Sequence, residues 1–130
     1  MTPEAEVEAK AKLGQRFSDL SQYGRKFDRA LATVLAGGVK ESRFLPSGRR
    51  IVTVVGKLGE EFIDPQKPYC SCSNFFFKVM RGKEETCYHL LSYTIASRSG
   101  NVDVVEFSDE EYAQVLRATI VDVFDVMNRS

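Results

Sequence analysis

The chain has 130 residues, of which 43% are hydrophobic and 28% charged, with 18 basic and 18 acidic side chains and a single histidine. That balance suits one domain, residues 1–130, with a core of its own, and excludes a disordered or membrane-embedded chain. No apolar stretch approaches a membrane span. The opening MTPEAEVEAKAKLG has no apolar signal core. An intracellular, reducing setting (cytoplasm, nucleoid or nucleus) is therefore expected, where three cysteines serve as ligands, nucleophiles or core filler rather than disulfides. Charge is unevenly spread. Residues 40–83 carry nine basic and four acidic side chains, net +5, whereas residues 84–130 carry three basic and nine acidic, net −6. Either the middle of the chain meets an anion, or the two stretches neutralise each other in the fold.

Residues 4–36 read as one long helix, because Phe17, Leu20, Gly24, Phe27, Leu31 and Val34 recur at spacings of three and four. With its glycine stop at Gly37-Gly38, this N-terminal helical region covers residues 1–38. Arg43-Phe44-Leu45, the turn Pro46-Ser47-Gly48, the β-branched run Ile51 to Val55 and the segment Glu61 to Asp64 predict a three-stranded antiparallel meander. Pro65 and Pro68 break the chain before the first cysteines. A second helix is expected from Cys87 to Ser97, and an extended segment from Val102 to Phe107. Ser108, with Glu111 three residues on, has the form of a capping box for a C-terminal helix over 108–128. Tyr112, Val115, Leu116, Thr119, Ile120, Val123, Phe124 and Met127 are expected on its apolar face. The fold class is therefore α+β.

Cys70-Ser71-Cys72, 14 residues, then Cys87-Tyr88-His89 uses every cysteine and the only histidine. Three thiols and an imidazole make a donor set suited to tetrahedral Zn2+. Residues i and i+2 of an extended backbone point the same way, so Cys70 and Cys72 can reach one ion. A helix beginning at the second pair would stabilise the Cys87 thiolate. Four protein ligands close the site to water, so it is structural rather than catalytic. An iron–sulfur cluster of the CDGSH type also begins with Cys-X-Cys. It differs in having its Cys and His three residues apart, after a shorter gap that contains proline.

The pattern Cys-X-Cys-Xₙ-Cys-X-His resembles that of the SWIM zinc finger. Ile51 to Gly56 and Glu60 to Asp64 look like the paired strands ahead of that family's first ligand pair. Tyr69-Cys70-Ser71-Cys72 with Phe75, and Cys87-Tyr88-His89-Leu90-Leu91, look like its two knuckles. The resemblance covers about residues 50–95, within a finger region of 43–97. The short chain with flanking helices resembles the stand-alone form, found in archaeal SWIM proteins and in the SWIM subunit of Shu-type complexes. That resemblance implies Zn2+ as cofactor and, as partners, DNA and a RecA-family recombinase paralogue in homologous recombination. Where the subfamily has an alanine three residues after the histidine, this chain has Ser92.

Two binding surfaces are expected from the residues. Arg43, Arg49, Arg50, Lys57, Lys67, Lys78, Arg81 and Lys83 are candidates for DNA contact, preferably single-stranded, of modest and salt-sensitive affinity. Phe75, Phe76 and Phe77 either stack on unpaired bases or, as expected for at least two of them, cover the zinc site as an apolar shell. Phe17, Leu20, Phe27 and Leu31 offer an apolar face for a protein partner or a homodimer, unless the first and last helices bury it against each other. An enzyme is not expected. No cysteine or histidine is spare once zinc is bound, and no phosphate-binding loop is present.

Overall fold

The computed structural model describes residues 2–56 and 59–129, with side chains described through Asp125. The N-terminal region is helical, as the spacing predicts, but it is a hairpin rather than one rod. Helix α1 (Pro3–Arg16) starts at an N-cap, Thr2, whose hydroxyl accepts from Ala5 N at 3.1 Å, and a 3₁₀ turn (Ser18–Tyr23) follows it. Gly24, at φ 60°, then redirects the chain into α2 (Arg25–Leu35). A left-handed φ of this kind is open to glycine and strained for other residues, which is why the heptad-like seam breaks at that position. α1 folds back on α2, with Lys10 and Asp28 paired at 2.7 Å and Leu31 lying over Gly14. Gly37 closes α2 in the left-handed conformation, its amide donating to the Val34 carbonyl.

Five strands follow: β1 (Val39–Leu45), β2 (Arg50–Gly56), β3 (Gly59–Asp64), β4 (Tyr69–Cys70) and, after α3 (Tyr88–Ser99), β5 (Asp103–Ser108). They form one sheet in the order β4-β3-β2-β1-β5. The predicted meander is its antiparallel centre, with Val39 opposite Val54 and Val52 opposite Ile63. The extended segment at Val102 becomes the edge strand β5, which runs parallel to β1 from Lys40↔Asp103 to Leu45↔Ser108. No local hairpin rule could place it, because parallel pairing needs a crossover, supplied here by β2 to β4 and α3.

Alternation along β2 explains the two layers, one on each face of the sheet. Val52 and Val54 face α2 and α3, in a core with Val39, Ile63, Phe27, Leu31, Val34, Leu91 and Ile95. Phe17, Phe27 and Leu31, offered by the sequence as a partner face, are buried there, and Leu20 is half-buried against them. Their partner is the chain itself. They pack among α1, α2, α3 and the sheet and not against the last helix, as the alternative had it. Ile51 and Thr53 point to the other face. There Phe44, fully buried, stacks on Phe107 at 5.6 Å and meets Tyr112 edge-on at 4.9 Å.

Helix α4 (Tyr112–Arg129) crosses that second face as far as β3. It begins after a 3₁₀ turn (Asp109–Glu111), and Ser108 makes no side-chain cap, so the capping box does not form. Asp109 instead accepts from the hydroxyl and amide of Ser47 at 2.6 and 3.0 Å. Val115, Leu116, Thr119 and Val123 are half-buried, as expected. Ile120 and Phe124 differ from expectation, being exposed along with Val121, and the side chain of Met127 lies outside the described residues. Among the described residues, no helix is long and apolar enough to cross a membrane.

Candidate metal centre

β4 delivers Cys70 by pairing with β3, Cys70 lying opposite Ile63. Ser71, between the first two cysteines, locks this entry. Its amide donates to the Phe62 carbonyl at 3.0 Å, its hydroxyl accepts from Phe62 N at 2.9 Å, and it donates to Glu61 Oε2 at 2.6 Å. The chain then tightens into a π-helical turn (Phe75–Val79), whose first amide donates to Cys72 Sγ at 3.3 Å. The second pair arrives on α3. Cys87 occupies its N-cap position and His89 its first turn. Lys26 of α2 holds the approach, donating to the Thr86 carbonyl at 2.5 Å and pairing with Glu84, while the Tyr23 hydroxyl donates to Glu85 at 2.7 Å.

Cys70, Cys72, Cys87 and His89 are all buried, and one donor atom from each lies within 4.8 Å of the others. Zinc–sulfur bonds of about 2.3 Å imply tetrahedral edges of roughly 3.8 Å, so the four atoms stand close enough together to hold one ion. His89 Nδ1 is buried with no hydrogen-bond partner. A buried imidazole nitrogen without a partner is costly, and a metal is what such a donor set would satisfy. The thiols share charge unequally. Hydrogen bonds from Cys70 and Cys72, and the amides of Leu90 and His89 at the helix start, lower Cys87 to about 3. Cys70, which donates to both of its neighbours, is raised. The helix-start stabilisation of Cys87 expected from sequence is present, second to the hydrogen bonds it accepts from the Cys70 and Cys72 thiols.

Gly56 at the end of β2 is part of the site in a way that spacing could not reveal. A Cβ there would lie 2.2 Å from the Tyr88 hydroxyl and 2.8 Å from His89 Nε2. The Tyr88 and His89 rings lie 3.9 Å apart over this backbone. Gly56→Ala is therefore expected to displace His89 and lower zinc affinity by about 10- to 100-fold, as loss of ligand support does elsewhere. Competition with a chromogenic chelator measures this, and wild-type affinity would refute it. Glu61, also buried beside the site, has its carboxyl pushed up by burial. Ser92 is fully inaccessible, its hydroxyl donating to the Tyr88 carbonyl at 2.7 Å, so the serine in the alanine position fits without an orphaned polar atom.

The candidate DNA-contacting residues separate. Arg43 and Arg50 pair with the buried Glu41 at 2.7 and 3.2 Å, Arg50 also donates to Tyr93, and Arg49 lies 4.0 Å over the Tyr112 ring. All three are exposed at the surface while making these contacts, and none of them lines the groove beside the ligands. Lys78 pairs with Glu84 at 3.5 Å, Lys67, Arg81 and Lys83 are exposed, and Lys57 lies outside the described residues. Of the three phenylalanines only Phe75 covers the site. Phe76 and Phe77 are 57% and 54% exposed, because the π turn points them outward, against the expectation that at least two would be buried.

A buried Cys₃His cluster beside a mixed sheet suits zinc and defines a zinc-finger type of protein of α+β class. The cluster and its paired strands fit a SWIM zinc finger. The chain is 38% identical over 76 residues to the zinc finger SWIM domain-containing protein 7 homolog of Dictyostelium discoideum, covering 56% of this chain and 49% of the relative. It is 33% identical over 73 residues to zinc finger SWIM domain-containing protein 7 of Mus musculus, covering 55% and 48%. The chain thus spans about half the length of the curated relatives it matches. No family model and no solved structure matches it.

Proposed function

We propose that this protein is a zinc-stabilised adaptor that brings a RecA-family recombinase paralogue and DNA together in recombination or repair. The observation that carries the reading is the closed, buried Cys₃His cluster, joined to the similarity to SWIM domain-containing relatives. A site with every position filled by protein has no place for an activated water, which favours a binding role over a catalytic one. The exposed Ile120, Val121 and Phe124 on α4 supply an apolar face of the kind a protein partner covers. Affinity purification from the native cell with metal analysis is expected to return zinc at one equivalent together with a RecA-family ATPase. Recovery of the zinc-loaded chain without an ATPase, under conditions that retain other complexes, would reject the adaptor.

A further inference from the structure

Arg43, Arg49 and Arg50, though exposed, contact Glu41, Tyr93 and Tyr112, and the cations that line the groove beside the zinc site come from α2. Arg25 and Arg29, one turn apart on α2, line a groove of about 1000 Å³ that runs past the ligands and is faced by Tyr69, Phe76, Phe77 and Met80. Both arginines are exposed, and no acidic side chain among the described residues pairs with either guanidinium. Arg29 lies 5.8 Å over the Tyr88 ring, which ties its position to the second ligand pair. Opposite, Phe76 and Phe77 meet edge to face at 5.0 Å, with more than half of each accessible. Unpaired cations on one wall and accessible aromatic faces on the other match a backbone phosphate with an unstacked base. A duplex offers the phosphate but keeps its bases stacked away.

From this geometry we infer that the groove between α2 and the π turn is a single-stranded nucleic-acid site, with Arg25 and Arg29 on phosphates and Phe76 and Phe77 on bases. The inference rests on the DNA-binding part of the proposed function and assigns its phosphate contacts to arginines outside the basic stretch. Zinc-loaded full-length protein is titrated against labelled oligothymidylate at several salt concentrations, with zinc content and melting temperature checked for each variant. Replacing Arg25 and Arg29 by glutamine is expected to weaken binding about tenfold or more and to flatten the slope of log K against log salt by roughly 1.4, or about 0.7 per phosphate lost. Replacing Phe76 and Phe77 by serine is expected to weaken binding similarly with the slope unchanged. Arg49→Gln is expected to bind within about twofold of wild type. If wild type binds and both groove variants match it, the groove assignment falls while DNA binding stands. If wild type binds no oligonucleotide at low salt, the DNA reading itself falls. If the groove variants lose only the protein partner, the groove is a peptide site and the inference is overturned.

Discussion

Cys87→Ser is expected to release zinc and unfold the centre of the protein. Cys87 is fully buried, has its thiol lowered to about 3 by hydrogen bonds from Cys70 and Cys72, and joins the start of α3 to β4 through Cys70. Serine keeps the volume but offers no thiolate at neutral pH. Zinc contributes on the order of 10 kcal/mol to folding in small zinc modules, against a typical net stability of roughly 5–15 kcal/mol. Metal content should fall from one equivalent to near zero, and amide-exchange protection should disappear from β4, the π turn and the first turn of α3. Chelation of wild-type protein should reproduce that pattern. Acidification should as well, because protons compete for the thiolates and the imidazole, so zinc is held at neutral pH and lost as pH falls. A Cys87→Ser protein that keeps zinc with native affinity would contradict the closed-site assignment.

Phe44→Ala probes the opposite side of the sheet. Phe44 has no accessible surface and is the contact between β1, Phe107 of β5 and Tyr112 of α4. Truncation removes most of a buried aromatic side chain and leaves a cavity, at a cost of about 3–5 kcal/mol. The urea midpoint should drop accordingly, with α4 losing protection first. Zinc stoichiometry in the folded variant should remain at one equivalent, because Phe44 lies on the face away from the ligands. Loss of zinc in parallel with stability would mean that the two layers fold as one unit through the sheet.

The ligand set was fully legible in the sequence. Metal coordination depends on residue types at short spacing, and all four donors lie in two tripeptides. The paired strands β2 and β3 were legible for the same reason, since Ile51 to Val55 and Glu61 to Asp64 are local signals close together in the sequence. What escaped reading was set by tertiary placement. Charge counting grouped Arg43, Arg49 and Arg50 with the finger, but their contacts are with Glu41, Tyr93 and Tyr112 and not with the groove beside the ligands. Arg25 and Arg29 stood in a segment of nearly balanced charge, and only the break at Gly24 turns them toward the ligands. The same break divides a seam whose spacing reads as continuous. The outward turn of Phe76 and Phe77 follows from a π-helical geometry that has no simple sequence signature.

The parallel pairing of β1 with β5 has a consequence for synthesis. In the finished sheet β1 is an interior strand, but on the ribosome it is a rim until residue 103 has emerged. The zinc loop, from Cys70 to His89, is complete well before that. During the interval the β1 rim is open to a β5 from any chain. The link from α3 to β5 is short, with Gly100 left-handed at its start, and is well placed to act as a hinge. Crowded expression should therefore favour exchanged dimers in which β5 and α4 of one polypeptide complete another, each half retaining its own metal.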